Sequence, residues 1–276
     1  MRLLSGKEVA KVKLENLRDK IKGIELCLAI IQIGVDESSL MCIRMKENKC
    51  KELGVKTKVF GLGVSVEESD VVKLIVELNG DKGVNGIILQ LPIPKRFDQF
   101  RIVEMIDWRK DADGLTSRNM GCLLLGRARI VPATTCAIGD LLDYYGIDVG
   151  GKYVVILGRS NLVGKPTALM LQMRNATVTV VHTGTVDIVK HLQEAEILVV
   201  ACGVGLYVKR HMIKKGCIVV DVGINKVASG VVGDVDFEDV KDMVSAISPV
   251  PGGVGPLTVA NMIGNTYLCY EAGKID

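Results

Sequence analysis

Aromatic residues are scarce in this sequence: one Trp, six Tyr and four Phe make up only 4% of its 276 positions. So few rings leave little for stacking successive bases, and a net charge of +3 is too small to hold a phosphate backbone. No run of five like charges occurs, which removes a basic arm as well. Nucleic acid is therefore not an expected partner. No apolar run is long enough to span a bilayer, and the opening Met-Arg-Leu-Leu-Ser-Gly-Lys-Glu lacks the apolar core of a signal peptide. A membrane is not expected either. The eight cysteines are scattered, with no C-x-x-C pair and no His at ligand spacing, so neither a zinc site nor a disulfide scaffold is expected. Most sit in apolar runs as small hydrophobes, which suits a reduced, cytoplasmic setting.

What is present is ordinary for a globular protein: 48% hydrophobic and 24% charged residues, in a chain long enough for two domains. Ser5 with Glu8 has the capping-box spacing and predicts a helix to about Lys22. The run Ile24-Glu-Leu-Cys-Leu-Ala-Ile-Ile-Gln-Ile33 is too continuously apolar for a half-exposed strand and suits a buried one. Residues 34–39 break it, and a helix follows to about Leu53, then a short strand around 58–60. Ser65 with Glu68 repeats the capping pattern and starts a helix ending near Asn79-Gly80. Gly86-Ile-Ile-Leu-Gln90 is the next buried strand, stopped by Leu91-Pro-Ile-Pro94. Strands alternating with helices imply a mostly parallel sheet, whose ligands bind beyond the strands' carboxyl ends. Gln90 lies at such an end; Lys46 shares a helix face with Cys42; Asp113 sits in Lys110-Asp-Ala-Asp-Gly114. Taken singly, each reads as loop, surface or turn chemistry.

The second half carries a nucleotide-binding pattern. Gly150-Gly-Lys-Tyr-Val-Val-Ile-Leu-Gly-Arg-Ser-Asn-Leu-Val-Gly-Lys-Pro166 reads as turn, buried strand, Gly-bounded loop and helix start, the layout that sets a phosphate on a helix N-terminus. Strands at 176–181, 197–201 and 217–222 with a helix at 186–194 complete a Rossmann-like half. The second strand ends Val180-Val-His-Thr-Gly-Thr185, with no acidic residue for a ribose hydroxyl pair. Arg159 and Thr183 can instead serve a 2′-phosphate, which points to NADP rather than NAD. Near the end, Ser248-Pro-Val-Pro-Gly-Gly-Val-Gly-Pro-Leu-Thr258 packs three of the seven prolines and three glycines into one shaped loop. A last helix is expected from Thr258, packing back onto the first domain.

These stretches together resemble the bifunctional methylenetetrahydrofolate dehydrogenase/cyclohydrolase family from end to end. Residues 39–46 resemble its Ser-x-x-Tyr-x-x-x-Lys helix, 86–94 its Gly-Ile-x-x-Gln-Leu-Pro-x-Pro, and 111–114 its Asp-Val-Asp-Gly. Residues 158–166, 221–225, 233–236 and 248–258 are similar to its remaining loops. The resemblance implies an α/β fold of two domains, each a mostly parallel sheet flanked by helices, with a cleft between them. It implies a folate-binding catalytic domain at 1–118 plus 258–276 and a Rossmann-like NADP domain at 119–257. Lys46 would be the catalytic lysine, Gln90 its partner, and Asp113 the residue holding the pterin. Cys42, Leu91, Pro251, Gly252, Gly253, Val254 and Gly255 would face the folate. Thr134, Gly158, Arg159, Ser160, Thr183, Ile224 and Thr258 would line the NADP site, with no metal. The implied reaction oxidises 5,10-methylenetetrahydrofolate with NADP and hydrolyses the methenyl product to 10-formyltetrahydrofolate, in one-carbon metabolism and purine biosynthesis. The implied partners are tetrahydrofolate derivatives and a second copy, as a homodimer.

Nitrogen lone pairs drive the hydride out of a methylene bridge, so that step needs positioning more than a strong base. Adding water to the methenyl cation is where a proton shuttle helps, a task open to lysine. The stiff 248–258 loop would then fix the distance from folate to nicotinamide. Three features depart from the family pattern. Cys42 stands where it has Tyr, Pro132-Ala-Thr-Thr-Cys136 replaces Pro-Cys-Thr-Pro, and Leu115 replaces a frequent Phe. Losing the ring at 42 removes a stacking surface, so weaker folate binding is expected, and the alternative is a dehydrogenase with little or no cyclohydrolase activity. A shikimate- or amino-acid-dehydrogenase type, or a nucleotide-sensing module without turnover, would leave Lys46, Gln90, Asp113 and residues 248–258 unexplained together.

Overall fold

The computed structural model describes residues 1–34, 36–228 and 230–274; Val35, inside the expected 34–39 break, lies outside them. Its strands are β1 (Arg2–Leu3), β2 (Cys27–Ile33), β3 (Lys56–Leu62), β4 (Gly86–Gln90), β5 (Tyr153–Leu157), β6 (Thr177–Val181), β7 (Ile197–Val200), β8 (Ile218–Asp221), β9 (Asn225–Val227), β10 (Gly230–Val232) and β11 (Ala246–Ile247). Its helices are α1 (Gly6–Lys20), α2 (Glu37–Glu52), α3 (Glu68–Gly80), α4 (Gln99–Glu104), α5 (Ser117–Leu124), α6 (Ala133–Tyr144), α7 (Gly164–Met173), α8 (Ile188–Glu194), α9 (Phe237–Val240) and α10 (Val254–Ala272). Two compact units result: Lys13–Ala133 with Val259–Asp276, and Met1–Val12 with Thr134–Thr258.

The first of these units is built on a parallel sheet in the order β3-β2-β4. Every residue of β2 is buried, as its unbroken apolar run requires, so both faces must be covered. On one face Leu28, Ile30 and Ile88 share a core with Ile43 and Cys50 of α2 and Met262, Ile263 and Cys269 of α10. On the other, Ala29, Ile31, Ile87 and Leu89 pack with Val71, Ile75 and Leu78 of α3 and Ile102 of α4. Ile75 is wholly buried, and cutting such a residue to Ala costs about 2–5 kcal/mol. Asn265 of α10 donates from Nδ2 to the carbonyls of Ala112 and Val131, both at 2.9 Å, which ties the helix to the loop carrying Asp113.

The other unit holds a six-stranded parallel sheet ordered β1-β11-β8-β7-β5-β6. Val155, Leu157, Leu198, Val200 and Val219 form its core with Leu192 of α8. Residues 1–12 belong here, because β1 extends this sheet by pairing Arg2 with Ala246 and Leu3 with Ile247. The expected division at residue 118 set residues 1–12 and 119–133 on the opposite sides.

Local expectations are corrected at three points. Glu67, not Ser65, is the N-cap of α3, and it makes no side-chain cap bond. A turn closing from Val66 N–H to the Gly63 carbonyl holds Ser65 outside the helix. Strand β3 is longer than the 58–60 expected, because all seven of its residues pair with β2. Helix α10 begins at Val254 rather than Thr258, so only residues 248–253 form the irregular loop.

Candidate active site

In the sheet β3-β2-β4, Gln90 ends β4 and Gln32 is its register partner on β2. Gln90 is buried, and its amide is committed at both ends: Oε1 accepts from Lys46 Nζ at 2.8 Å, and Nε2 donates to the Leu91 carbonyl at 2.7 Å. The second bond fixes which end of the amide faces the lysine. Lys46 and Cys42, one helical turn apart on α2, are both half-buried. Asp36 caps this helix by accepting from Ser39 N–H at 2.8 Å. Burial pushes the Asp113 carboxyl up; Lys46 pulls it down, and Asp111 adds repulsion that raises it. Lysine, glutamine and this aspartate therefore form one electrostatic cluster at the carboxyl end of the sheet.

The cluster is held by Asp111, whose role the sequence did not disclose. Its carboxylate accepts from Gly114 N–H at 2.9 Å, Thr116 N–H at 2.7 Å and Asn119 Nδ2 at 2.9 Å. Gly114 has φ +72°, and a Cβ there would sit 2.8 Å from Pro132 N, so glycine is required on both counts. A second unread feature is that Gln32 Nε2 and Ser39 Oγ, like Thr116 Oγ1, are buried with no hydrogen-bond partner among the described residues.

In the six-stranded sheet, β5 is followed outward by β6 on one side and β7 on the other, a topological switch point. Gly158, directly after β5, has φ +131°, and a Cβ there would lie 2.8 Å from the Ala201 carbonyl carbon after β7. A Cβ on Gly164, at the start of α7, would lie 2.7 Å from the Gly158 carbonyl carbon. The two glycines let strand, loop and helix start close on one another; at the start of α7 the N–H of Lys165 donates to the Ser160 carbonyl at 3.0 Å and that of Gly164 to Ser160 Oγ at 3.5 Å, and Pro166 has none. Ser160 Oγ accepts from Val163 N–H at 3.2 Å and shapes the loop. Arg159 and Thr183 are exposed here, with Arg159 Nη1 3.4 Å from His182 Nε2.

The remaining candidates of this unit lie around 248–258. Ser248 Oγ accepts from Asp221 N–H at 2.8 Å, and Gly252, with φ +110°, accepts at its carbonyl from Lys7 N–H at 3.1 Å. The peptide bond before Pro251 is cis. Val254 is buried, Gly253 needs its missing Cβ because Ser248 Cβ would lie 3.0 Å away, and Gly255 faces Ile224 Cδ1 at 3.8 Å. Thr134 and Thr258 touch through their hydroxyls at 3.5 Å. Beneath them, Asp221 accepts from the N–H groups of Gly223, Asp234 and Val235, each at 3.0 Å. Asp234 accepts in turn from Cys202 N–H at 2.7 Å and Gly203 N–H at 2.8 Å, at the loop after β7. Burial outweighs these bonds and pushes the Asp221 carboxyl up to about 6.

A glycine cradle at the switch point of a parallel sheet defines a dinucleotide-binding α/β protein, here joined to a second parallel unit with a lysine–glutamine pair. The sequence model of the tetrahydrofolate dehydrogenase/cyclohydrolase catalytic domain matches residues 4–113, and that of the NAD(P)-binding domain of the same family matches residues 132–274. The bifunctional protein FolD of Thermodesulfovibrio yellowstonii is 44% identical over 278 residues, covering 99% of this chain and 97% of the relative. The bifunctional enzyme FolD of Campylobacter jejuni superposes with a TM-score of 0.94 at 41% identity over all of both chains. The FolD of Trypanosoma brucei, solved with NADP cofactor and inhibitor, gives 0.94 at 32% identity over 99% of this chain and 98% of its own. The chain belongs to the tetrahydrofolate dehydrogenase/cyclohydrolase family and is an enzyme with that family's two activities. These relatives lend no support to the dehydrogenase-only alternative that Cys42 raised.

Proposed function

We propose that the protein oxidises 5,10-methylenetetrahydrofolate with NADP and hydrolyses the resulting methenyl cation to 10-formyltetrahydrofolate, with the folate chemistry carried by Lys46, Gln90 and Asp113. The observation that supports this most directly is the Lys46 Nζ–Gln90 Oε1 bond of 2.8 Å, with Lys46 acting electrostatically on the half-buried Asp113. Asp113 takes the donor edge of the pterin and Cys42 and Leu91 face the ring system; residues 251–255 are also assigned to the folate. The loop from Gly158 to Gly164 would hold NADP, which would supply the acceptor for the hydride of the methylene carbon. Gln90 holds Lys46 in place without forming a charged pair with it. Water then adds to the methenyl carbon, the carbon–nitrogen bond opens, and Lys46 moves the proton from the attacking water toward the departing nitrogen.

NADP rather than NAD rests on Arg159, exposed in the loop after β5, with Thr183 and Ser160 beside the 2′-phosphate it would hold. Thr134, Ile224 and Thr258 complete the cofactor's surroundings. A cytoplasmic homodimer serving one-carbon metabolism and purine biosynthesis is the setting in which we place this activity; no helix of the described residues is long and apolar enough to cross a membrane. The test is absorbance with methylenetetrahydrofolate and NADP, following NADPH and the methenyl intermediate separately. NADPH formation with rapid loss of methenyl supports both steps, and no NADPH formation refutes the reading. In the same assay, Arg159→Ser weakens NADP about tenfold or more while NAD is unchanged, the loss of one charge-assisted contact.

A further inference from the structure

Gln32 closes β2 on the face that Gln90 closes on β4. The two are register partners, and the residues before them on that face, Leu28, Ile30 and Ile88, share one core with Ile43 of α2. Strand spacing sets their backbones about 4.8 Å apart. Gln32 is only 5% exposed, yet its Nε2 has no hydrogen-bond partner among the described residues. An unpaired buried amide weakens a fold, and a hydrocarbon of the same shape would serve the core better. The neighbours cannot absorb it. Gln90 Oε1 accepts from Lys46 and receives no bond from Gln32, its Nε2 is directed to the Leu91 carbonyl, and a protonated lysine brings donors only. Ser39 Oγ, in the first turn of the helix that carries Lys46, is likewise buried and unpaired. Two of the three buried polar side-chain atoms without partners among the described residues thus lie at the end of β2, the strand paired with that of Gln90, and in the first turn of the helix that carries Lys46; the third is Thr116 Oγ1.

We propose that Gln32 is a substrate-binding residue whose Nε2 donates to an acceptor on the ring system of the bound folate, beside the groups that Gln90 and Lys46 address. A reduced pterin offers a carbonyl as well as donor groups, and Asp113 is suited only to the donors. A buried amide donor next to Gln90 complements it. The inference rests on the folate reading of this unit.

Gln32→Met keeps the unbranched length and removes every polar atom, so it separates the two roles. The expected result is a urea midpoint without ligand equal to or above that of the parent, a KM for methylenetetrahydrofolate raised about tenfold, the size of one lost hydrogen bond, and an unchanged KM for NADP. The thermal shift that folate induces should shrink in step. Gln32→Glu, which puts an acceptor where the donor was, should raise the folate KM at least as far. A folate KM within twofold of the parent in Gln32→Met overturns the proposal. So does a lowered midpoint or a failure to fold, since either means that the amide is paired within the protein. If the parent enzyme itself does not turn over methylenetetrahydrofolate, the functional reading fails; if the parent turns over and the variant matches it, only the role of Gln32 fails.

Discussion

Three glycines of the NAD(P)-binding unit separate the cost of backbone angle from the cost of close approach, and replacing each with alanine tests the cradle. Gly151 has φ +69° with nothing within 4 Å of an added Cβ, so alanine there meets an angle penalty only. That penalty is about 1–2 kcal/mol. Gly164 has no positive φ, but its Cβ would lie 2.7 Å from the Gly158 carbonyl carbon, a backbone atom that cannot swing aside. Loop and helix must part by roughly an ångström, a strain of about 2–3 kcal/mol. Gly158 combines both, with φ +131° and a Cβ 2.8 Å from the Ala201 carbonyl carbon, so about 3–5 kcal/mol is expected. Urea unfolding gives the three stabilities, and NADP titration of each folded variant gives the affinities. Gly151→Ala should bind NADP as the parent does, whereas Gly164→Ala and Gly158→Ala should lose tenfold or more. If Gly164→Ala costs no more than Gly151→Ala, or if all three bind NADP alike, the close approach is not what shapes the site.

Lys46→Met should lower cyclohydrolase activity about 10²–10⁴-fold, as loss of a proton shuttle does, and reduce hydride transfer much less; intact hydrolysis of the methenyl compound would refute its role. Cys42→Tyr should tighten folate binding about fivefold by restoring a stacking surface worth about a kcal/mol, and an unaltered folate KM would argue against that account. Asp221 should titrate at about 6 instead of 3.8, because burial raises it more than its three backbone N–H bonds lower it. A carboxyl raised in the folded state binds its proton more tightly there than in the unfolded chain. Its contribution to stability is therefore complete below 3.8 and lost as the pH rises through about 6, a change of about 3 kcal/mol at 1.36 kcal/mol per pH unit. A carbon-13 titration of the aspartate carboxyls checks this, and an Asp221 signal moving near 3.8 would contradict it.

How much of this was legible depends on whether the cause was local. Strand β4 runs Gly86–Gln90, the bounds its apolar run announces, because glycine and a Pro-x-Pro stop punctuate it on either side. Strand β1 could not be read: two exposed residues carry no pattern, and they are a strand only because β11, from the far end of the chain, lies alongside. Helices α4 and α5 are too short for their periodicity to stand out from the loops around them. Lys46, Gln90 and Asp113 were found by resemblance rather than by spacing, since nothing in the order of residues 46, 90 and 113 shows that the first bonds the second.

The loops at 221–225 and 233–236 show what a one-dimensional reading misses even when it selects the right residues. Each looks like a turn cluster of glycine and aspartate. Folded, each glycine makes room for the other loop's acid. A Cβ on Gly223 would lie 2.5 Å from Asp234 N, and one on Gly233 would lie 2.6 Å from Asp221 Cγ. The clasp closes through Asp221 accepting from Asp234 N–H and through Asp234 holding Cys202 and Gly203. The loop after β7 that Gly158 needs as its neighbour is thus positioned by two carboxylates far along the chain, and Asp221 is buried against its own titration to do so. Each glycine is closed in by the other segment's aspartate, Gly223 by the Asp234 backbone as well as its carboxylate. The pairing is reciprocal, so the two motifs act as one structural feature.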